Sequence, residues 1–211
     1  GDLLLSKLWP LLSQEAHAHA IAVGILQAPA PRSVLDVLGA MTSELLRTGL
    51  LSRHRQIKVA GPPNEPKLDW ENRWSMQALV QHFVLARGSE DDFQRARTRA
   101  AKKYAELVAQ PDARWADLVE AIRLYLANGD GAAAWPLARG YVVLLRYRAQ
   151  HATALAMLVT FSQIGLVGDF HAEHISLLAM TRRDMGISVN DMKAALQDSL
   201  ASAVSPDVKA R

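Results

Sequence analysis

The stretch RHRQIKVAGPPNEPKLD, residues 53–69, decides the architecture. Gly61, Pro62, Pro63 and Pro66 cluster in it and mark a loop. On one side, Gln56–Val59 has the composition of a short strand, but nothing obvious pairs with it. On the other side, Asp69 is placed to cap a helix running WENRWSMQALVQHFVLA, with Gly88 as its stop. Read this way, the stretch separates two helical pieces and the chain has no significant sheet.

Helix signals repeat on both sides of it. Ser13 precedes QEAHAHAIAVGILQ, which the prolines of APAP (28–31) terminate. Ser33, with Asp36 three residues on, opens VLDVLGAMTSELLRTGLL, whose apolar positions Val34, Leu35, Leu38, Met41, Leu45 and Leu46 fall at helical spacing. Ser89 with Asp92 makes a second capping box and opens DDFQRARTRAAKKYAELVAQ, which Pro111 ends. Asp112 can cap ARWADLVEAIRLYLA, which stops at Asn128-Gly129. Segment 130–149 is helical in pattern and either starts near Trp135 or kinks at Pro136. Segments 151–164 and 170–182 follow, and Ser188 with Asp191 opens a last helix over 189–203. The expectation is an all-α, irregular bundle of about nine helices with short connections. Its parts are an N-terminal helical segment (1–60), a loop (61–68), a main helical domain (69–203) and a frayed tail (204–211).

Composition narrows the function. The chain has 211 residues, half of them hydrophobic, which suffices for a sizeable core. It has no cysteine, so disulfides, thiolate metal sites and a cysteine nucleophile are excluded. Formal net charge is +3, a mildly basic balance that permits an acidic partner without demanding nucleic acid. The charge-free run ATALAMLVTFSQIGLVG (152–168) suits a buried core helix better than a membrane span.

No phosphate loop, nucleophile elbow or HExxH motif is present, so a non-enzymatic chain without a cofactor is expected. His171 and His174 could share a helix face, but a zinc site needs three or four ligands. The expectation is that His174 packs at the core edge and His171 is solvated. His17 and His19, two apart, point to different sides of a helix and make a poor chelate.

The clearest electrostatic feature is QRARTRAAKKY. Residues 93–105 hold Arg95, Arg97, Arg99, Lys102 and Lys103 with no acid among them. Arg95, Arg99 and Lys102 or Lys103 stack along one helix face, and the acids at 90–92 partly offset them. Arginine forks bind carboxylates or phosphates bidentately, so an acidic protein segment is the first partner to expect, and a solvated face is the bland alternative. Arg53 and Arg55 form a further basic group, and so do Arg182 and Arg183, which also suit a helix C-terminus. Nucleic acid is the second choice. No aromatic residue interleaves the stripe, and no short helix-turn-helix with a basic second helix stands out. A winged-helix reading of 33–59, a helix followed by RHRQIKV, stays open behind these.

Over about residues 93–190 an ordered series of short features is present: Ala100, Pro111, Trp115, Gly129, His151-Ala152, Met157, Gly165-Leu166, Ala172-Glu173 and Arg182-Arg183. In that order they resemble the cytoplasmic domain of the DotM/TrbA family, components of type IVB secretion and IncI-type conjugation machines. The stretch HISLLAMT and the pair Met185-Gly186 depart from the family pattern, and residues 1–60 show no match. The resemblance implies a bacterial, all-helical cytoplasmic domain tethered by membrane helices outside this sequence. It also implies work beside a coupling ATPase, with basic patches attracting acidic signals on secretion substrates.

Overall fold

The computed structural model describes residues 2–40, 43–60 and 67–187. The chain forms two compact units, Gly1–Asn128 and Gly129–Arg211. The expected helix over 189–203 and the tail after it lie outside the described residues.

The first unit holds helices α1 (Asp2–Leu8), α2 (Gln14–Gly24), α3 (Arg32–Val37), α4 (Ser43–Arg47), α5 (Ala78–Leu85), α6 (Glu90–Val108) and α7 (Trp115–Ala127). Between them run strands β1 (Ala30–Pro31), β2 (Leu51–Ala60) and β3 (Lys67–Met76). The strands form an antiparallel three-stranded sheet in the order β1-β3-β2. This overturns the all-α expectation. The segment expected to be helical from Trp70 is strand up to Met76, and helix begins only at Ala78. Leu51 pairs with Met76 and Ala60 with Lys67, so β2 and β3 are the two arms of one hairpin. Residues 61–66 of the expected boundary loop lie outside the described residues.

The physical reason is a shared spacing. Trp70 and Trp74 are four apart, which satisfies a helix face but also a strand face, where every second residue is on one side. In β3 the even set is Leu68, Trp70, Asn72, Trp74 and Met76, and the odd set is Lys67, Asp69, Glu71, Arg73 and Ser75. That alternation is the strand period.

The expected long helix from Ser33 is also divided, into α3 and α4. Gly39 adopts φ +70°, a left-handed conformation that ends the first helix, and Ala40 N–H donates to the Leu35 carbonyl at 2.8 Å. A Cβ here would sit 2.6 Å from the His19 ring. The element order α2-β1-α3-α4-β2-β3 is that of a winged helix, the reading placed behind the others on sequence. Ser13 fastens the start of α2 to α4: its backbone N–H and hydroxyl both donate to the Glu44 carboxylate, at 3.0 and 2.7 Å. These bonds hold the Glu44 pKa below its ordinary value.

The irregular link between α2 and β1 meets its backbone needs with side chains from α5, α7 and β3. Gln81 donates to the carbonyls of Gly24 and Leu26, and Arg123 to that of Ile25. Gln27 N–H donates to Glu120, and Arg73 donates to the Pro29 carbonyl. Arg73 is 2% exposed, and its two terminal nitrogens donate to both oxygens of buried Asp117 at 2.6 Å each. Burial opposes its charge, but the hydrogen bonds and charges of Asp117 and Glu71 prevail and leave its pKa above the ordinary value. Asp112, expected to cap α7, pairs instead with Lys58 of the hairpin, and Arg114 occupies the cap position. Ala96, Ala100 and Ala101 are buried on α6, which packs against α7, α2 and α3.

The second unit is a helical trio: α8 (Gly131–Tyr147), α9 (His151–Ile164) and α10 (Gly168–Asp184). Asp130 caps α8 by accepting from Ala133 N–H at 3.0 Å, so the helix starts before Trp135 and Pro136 lies within it. Trp135, Phe161 and His174 meet edge to face in the core, with centroids 5.2 and 5.5 Å from the indole. His174 is 1% exposed, deeper than a core-edge position, and its Nε2 donates to the Leu158 carbonyl at 2.8 Å.

Burial, joined by the charge of His171 and opposed by the Leu158 bond, lowers the His174 pKa from its ordinary 6.5. The unfolded chain therefore binds more protons in the window below 6.5. The contribution of neutral His174 is complete above that value and declines as pH falls towards the folded pKa. Urea midpoints followed from about pH 8 to pH 5 should fall more steeply for the wild type than for His174→Gln. Parallel curves would mean that His174 does not carry the slope.

Candidate functional site

The side chains with the most chemical scope lie in the first unit, where α2, the end of α3 and α6 surround a groove of about 540 Å³. Helix α6 is set by its capping box: Ser89 Oγ accepts from Asp92 N–H at 3.2 Å, and Asp92 accepts from Ser89 N–H at 3.3 Å. From that start, Arg95 and Arg99 project one turn apart beside Ala96 onto the groove. The facing walls are His19, Ala18 and Ala22 of α2 and Asp36 and Val37 at the end of α3. The same two arginines border a shallower depression of about 400 Å³ on the other side, with Asp91, Gln94 and Thr98.

The charges in the groove are unequal in availability. Asp92 is engaged by Ser89 and by Arg95 Nη2 at 2.6 Å. These two partners, Ser89 first, hold its pKa below the ordinary carboxylate value. Arg95 keeps a 67% exposed side chain despite that bond, and an exposed pair of this kind holds its partners only loosely. Arg99 is exposed and forms no ion pair among the described residues. The His19 Nδ1 is buried and has no hydrogen-bond partner among the described residues, while its Nε2 lies 3.9 Å from Glu15. Two neighbouring guanidinium groups, one without an ion pair among the described residues and one loosely held, beside small apolar side chains can receive carboxylates carried on an amphipathic segment.

The expected basic stripe is thus resolved into parts. Arg95 and Arg99 come together at the groove, and Lys102 continues along α6, exposed and without an ion pair among the described residues. Lys103 is bound to Glu106 at 2.8 Å, and Arg97 to Glu90 at 2.6 Å. Arg53 and Arg55 are exposed on β2 and do not line the groove. The Arg55 guanidinium lies 4.7 Å from the centre of the Trp70 ring. Arg182 and Arg183 belong to the second unit, in the last turn of α10, with Arg183 3.6 Å from Asp184.

His19 and Gly39 were not among the expected site residues. The groove joins α2 and α3 to α6, which lies far along the chain, and only the HAHA pair and the glycine within an apolar helical pattern hinted at either. His17 is structural: it stacks on Trp9 at 4.3 Å and its Nε2 lies 2.7 Å from the Trp9 carbonyl. Among the described residues, no cluster of three or more histidines and carboxylates is arranged to hold a metal, and no helix is long and apolar enough to cross a membrane. Compared with protein-family models, curated proteins and solved structures, the chain matches none.

Proposed function

We propose that this chain is a non-enzymatic adaptor that captures an acidic protein segment in the groove between α2, α3 and α6. The observation that carries the reading is the neighbouring of Arg95 and exposed Arg99, which has no ion pair among the described residues, over an apolar floor of α2 and α6 side chains. Lys102, further along α6, extends the attraction. The setting is the one that the DotM/TrbA resemblance implies: a bacterial conjugation or secretion coupling complex, in which the domain would present substrates to a coupling ATPase from the cytoplasmic side, tethered by a segment outside this sequence.

The test is fluorescence anisotropy with a labelled glutamate-rich peptide. Arg95→Glu combined with Arg99→Glu should weaken binding at least about tenfold, near 1.4 kcal/mol, while thermal unfolding stays close to wild type. Unchanged affinity would reduce the stripe to a solvated face. The winged-helix element order favours a second reading, nucleic-acid binding. Against it, α4 has Glu44 in its first turn and carries one cation, Arg47, where a groove-reading helix needs more. Steeply salt-dependent binding of duplex DNA, with no peptide binding, would select that reading instead.

A further inference from the structure

Every wall of the groove is a helix or a helix end, and its backbone N–H groups are already in use. Ala18 and Ala22 lie within α2, and Arg95, Ala96 and Arg99 lie within α6. At the end of α3 the N–H groups of Leu38, Gly39 and Ala40 donate back to the carbonyls of Val34, Leu35 and Asp36. The lining residues therefore offer no strand edge and no row of free N–H groups. An extended segment lying here would take its own backbone groups out of water over Ala18, Ala22 and Ala96 with nothing to meet them. A helix satisfies its backbone internally and brings only side chains to the floor, the helix-in-groove mode of recognition.

The charges differ from wall to wall. Arg95 and Arg99 stand one turn apart on α6, about 6 Å along its axis, beside buried Ala96. On the wall formed by the end of α3, Asp36 is an exposed carboxylate 3.8 Å from Arg32. Resting on the capture of an acidic segment proposed above, we propose that the segment binds as an amphipathic α-helix. It carries two glutamates one turn apart on the edge towards α6 and no acid on the edge towards Asp36. The apolar stripe between those edges covers Ala18, Ala22 and Val37, the last 37% exposed. On a helix, glutamates at i and i+4 match the arginine spacing; on an extended chain, glutamates at i and i+2 do. A two-residue spacing on a helix turns the second carboxylate away from the first. The two spacings thus separate the two shapes.

The experiment is fluorescence anisotropy of the whole chain with two labelled peptides of about 16 residues and identical composition. One has its glutamates paired at i and i+4, the other at i and i+2. The i,i+4 peptide should bind at least about tenfold more tightly, with a gain of helical circular dichroism over the separate components. A proline at its centre should weaken it at least about tenfold. Arg99→Gln should bring the two peptides within about twofold of each other, because Arg95 alone cannot read a spacing. Arg99 is exposed, so circular dichroism should show an unchanged fold. Further glutamates along the opposite edge should weaken the i,i+4 peptide, and Asp36→Asn should recover about two- to fivefold of that loss. Equal binding of the two spacings, or tolerance of the proline, overturns the helical form and leaves acidic capture standing. A preference that survives in Arg99→Gln overturns the arginine pairing, since it would reflect peptide helicity alone. No recovery in Asp36→Asn overturns the assignment of edges. Binding of neither peptide overturns this inference together with the capture on which it rests.

Discussion

Asp117→Ala should destabilise the first unit by about 3–5 kcal/mol, a large share of the about 5–15 kcal/mol that holds a typical domain folded. The substitution leaves Arg73 charged and 2% exposed, with two of its nitrogens deprived of the 2.6 Å bonds they now make. Glu71 and the Pro29 carbonyl remain as partners, each at 3.0 Å, and cannot replace a bidentate carboxylate. The loss extends to the link between α2 and β1, whose carbonyl at Pro29 is held by the same guanidinium. Urea unfolding followed by circular dichroism reads the effect. Arg73→Met combined with Asp117→Leu should recover much of it, because removing both charges spares their desolvation. If Asp117→Ala costs under about 1 kcal/mol, the pair is not the clamp that its geometry indicates.

Trp135→Ala should cost the second unit about 3–5 kcal/mol. The indole is fully buried and bridges all three helices: it stands on α8, meets Phe161 of α9 and His174 of α10, and its Nε1 donates to Glu173 at 3.2 Å. Truncation removes two edge-to-face contacts and opens a cavity that three helices cannot collapse without shifting. Trp135→Phe should be milder, because a ring remains and Glu173 keeps its 2.9 Å bond to Arg139. Thermal unfolding of both variants gives the ranking, and equal losses would place the main contribution in the indole N–H rather than in packing.

Much of the helical part of this molecule was legible in the sequence, because caps are local chemistry. Ser13 accepts from Ala16 N–H, and both halves of the Ser89–Asp92 box form, as the spacing predicts. Asn128-Gly129 ends α7 as expected. The sheet was misread although β3 alternates, because Trp70 and Trp74 fit both periods and Asp69 resembles a helix cap. Its carboxylate in fact accepts from the N–H of the next residue, Trp70, at 2.7 Å. Strand pairing is a property of two segments, and the partner of β2 begins beyond a proline-rich interval that a local reading takes as a boundary. The basic stripe was visible as composition. Which of its cations stay available was not, since that depends on Asp92, Glu90 and Glu106 reaching particular neighbours, and the groove needs α2 and α3 folded against α6.

Among the described residues no strand pairs with the outer side of β2, and such an edge is where one polypeptide can recruit another into a continuous ladder. Arg114 closes part of it: its guanidinium donates to the Ile57 carbonyl at 2.9 Å and to the Gln56 side chain at 3.0 Å. Arg53, His54 and Arg55 place cationic or titratable groups along the remainder. A neighbouring copy approaching in antiparallel register would meet its own arginines there. Arginine facing arginine in that register raises the cost of pairing this edge with a second copy.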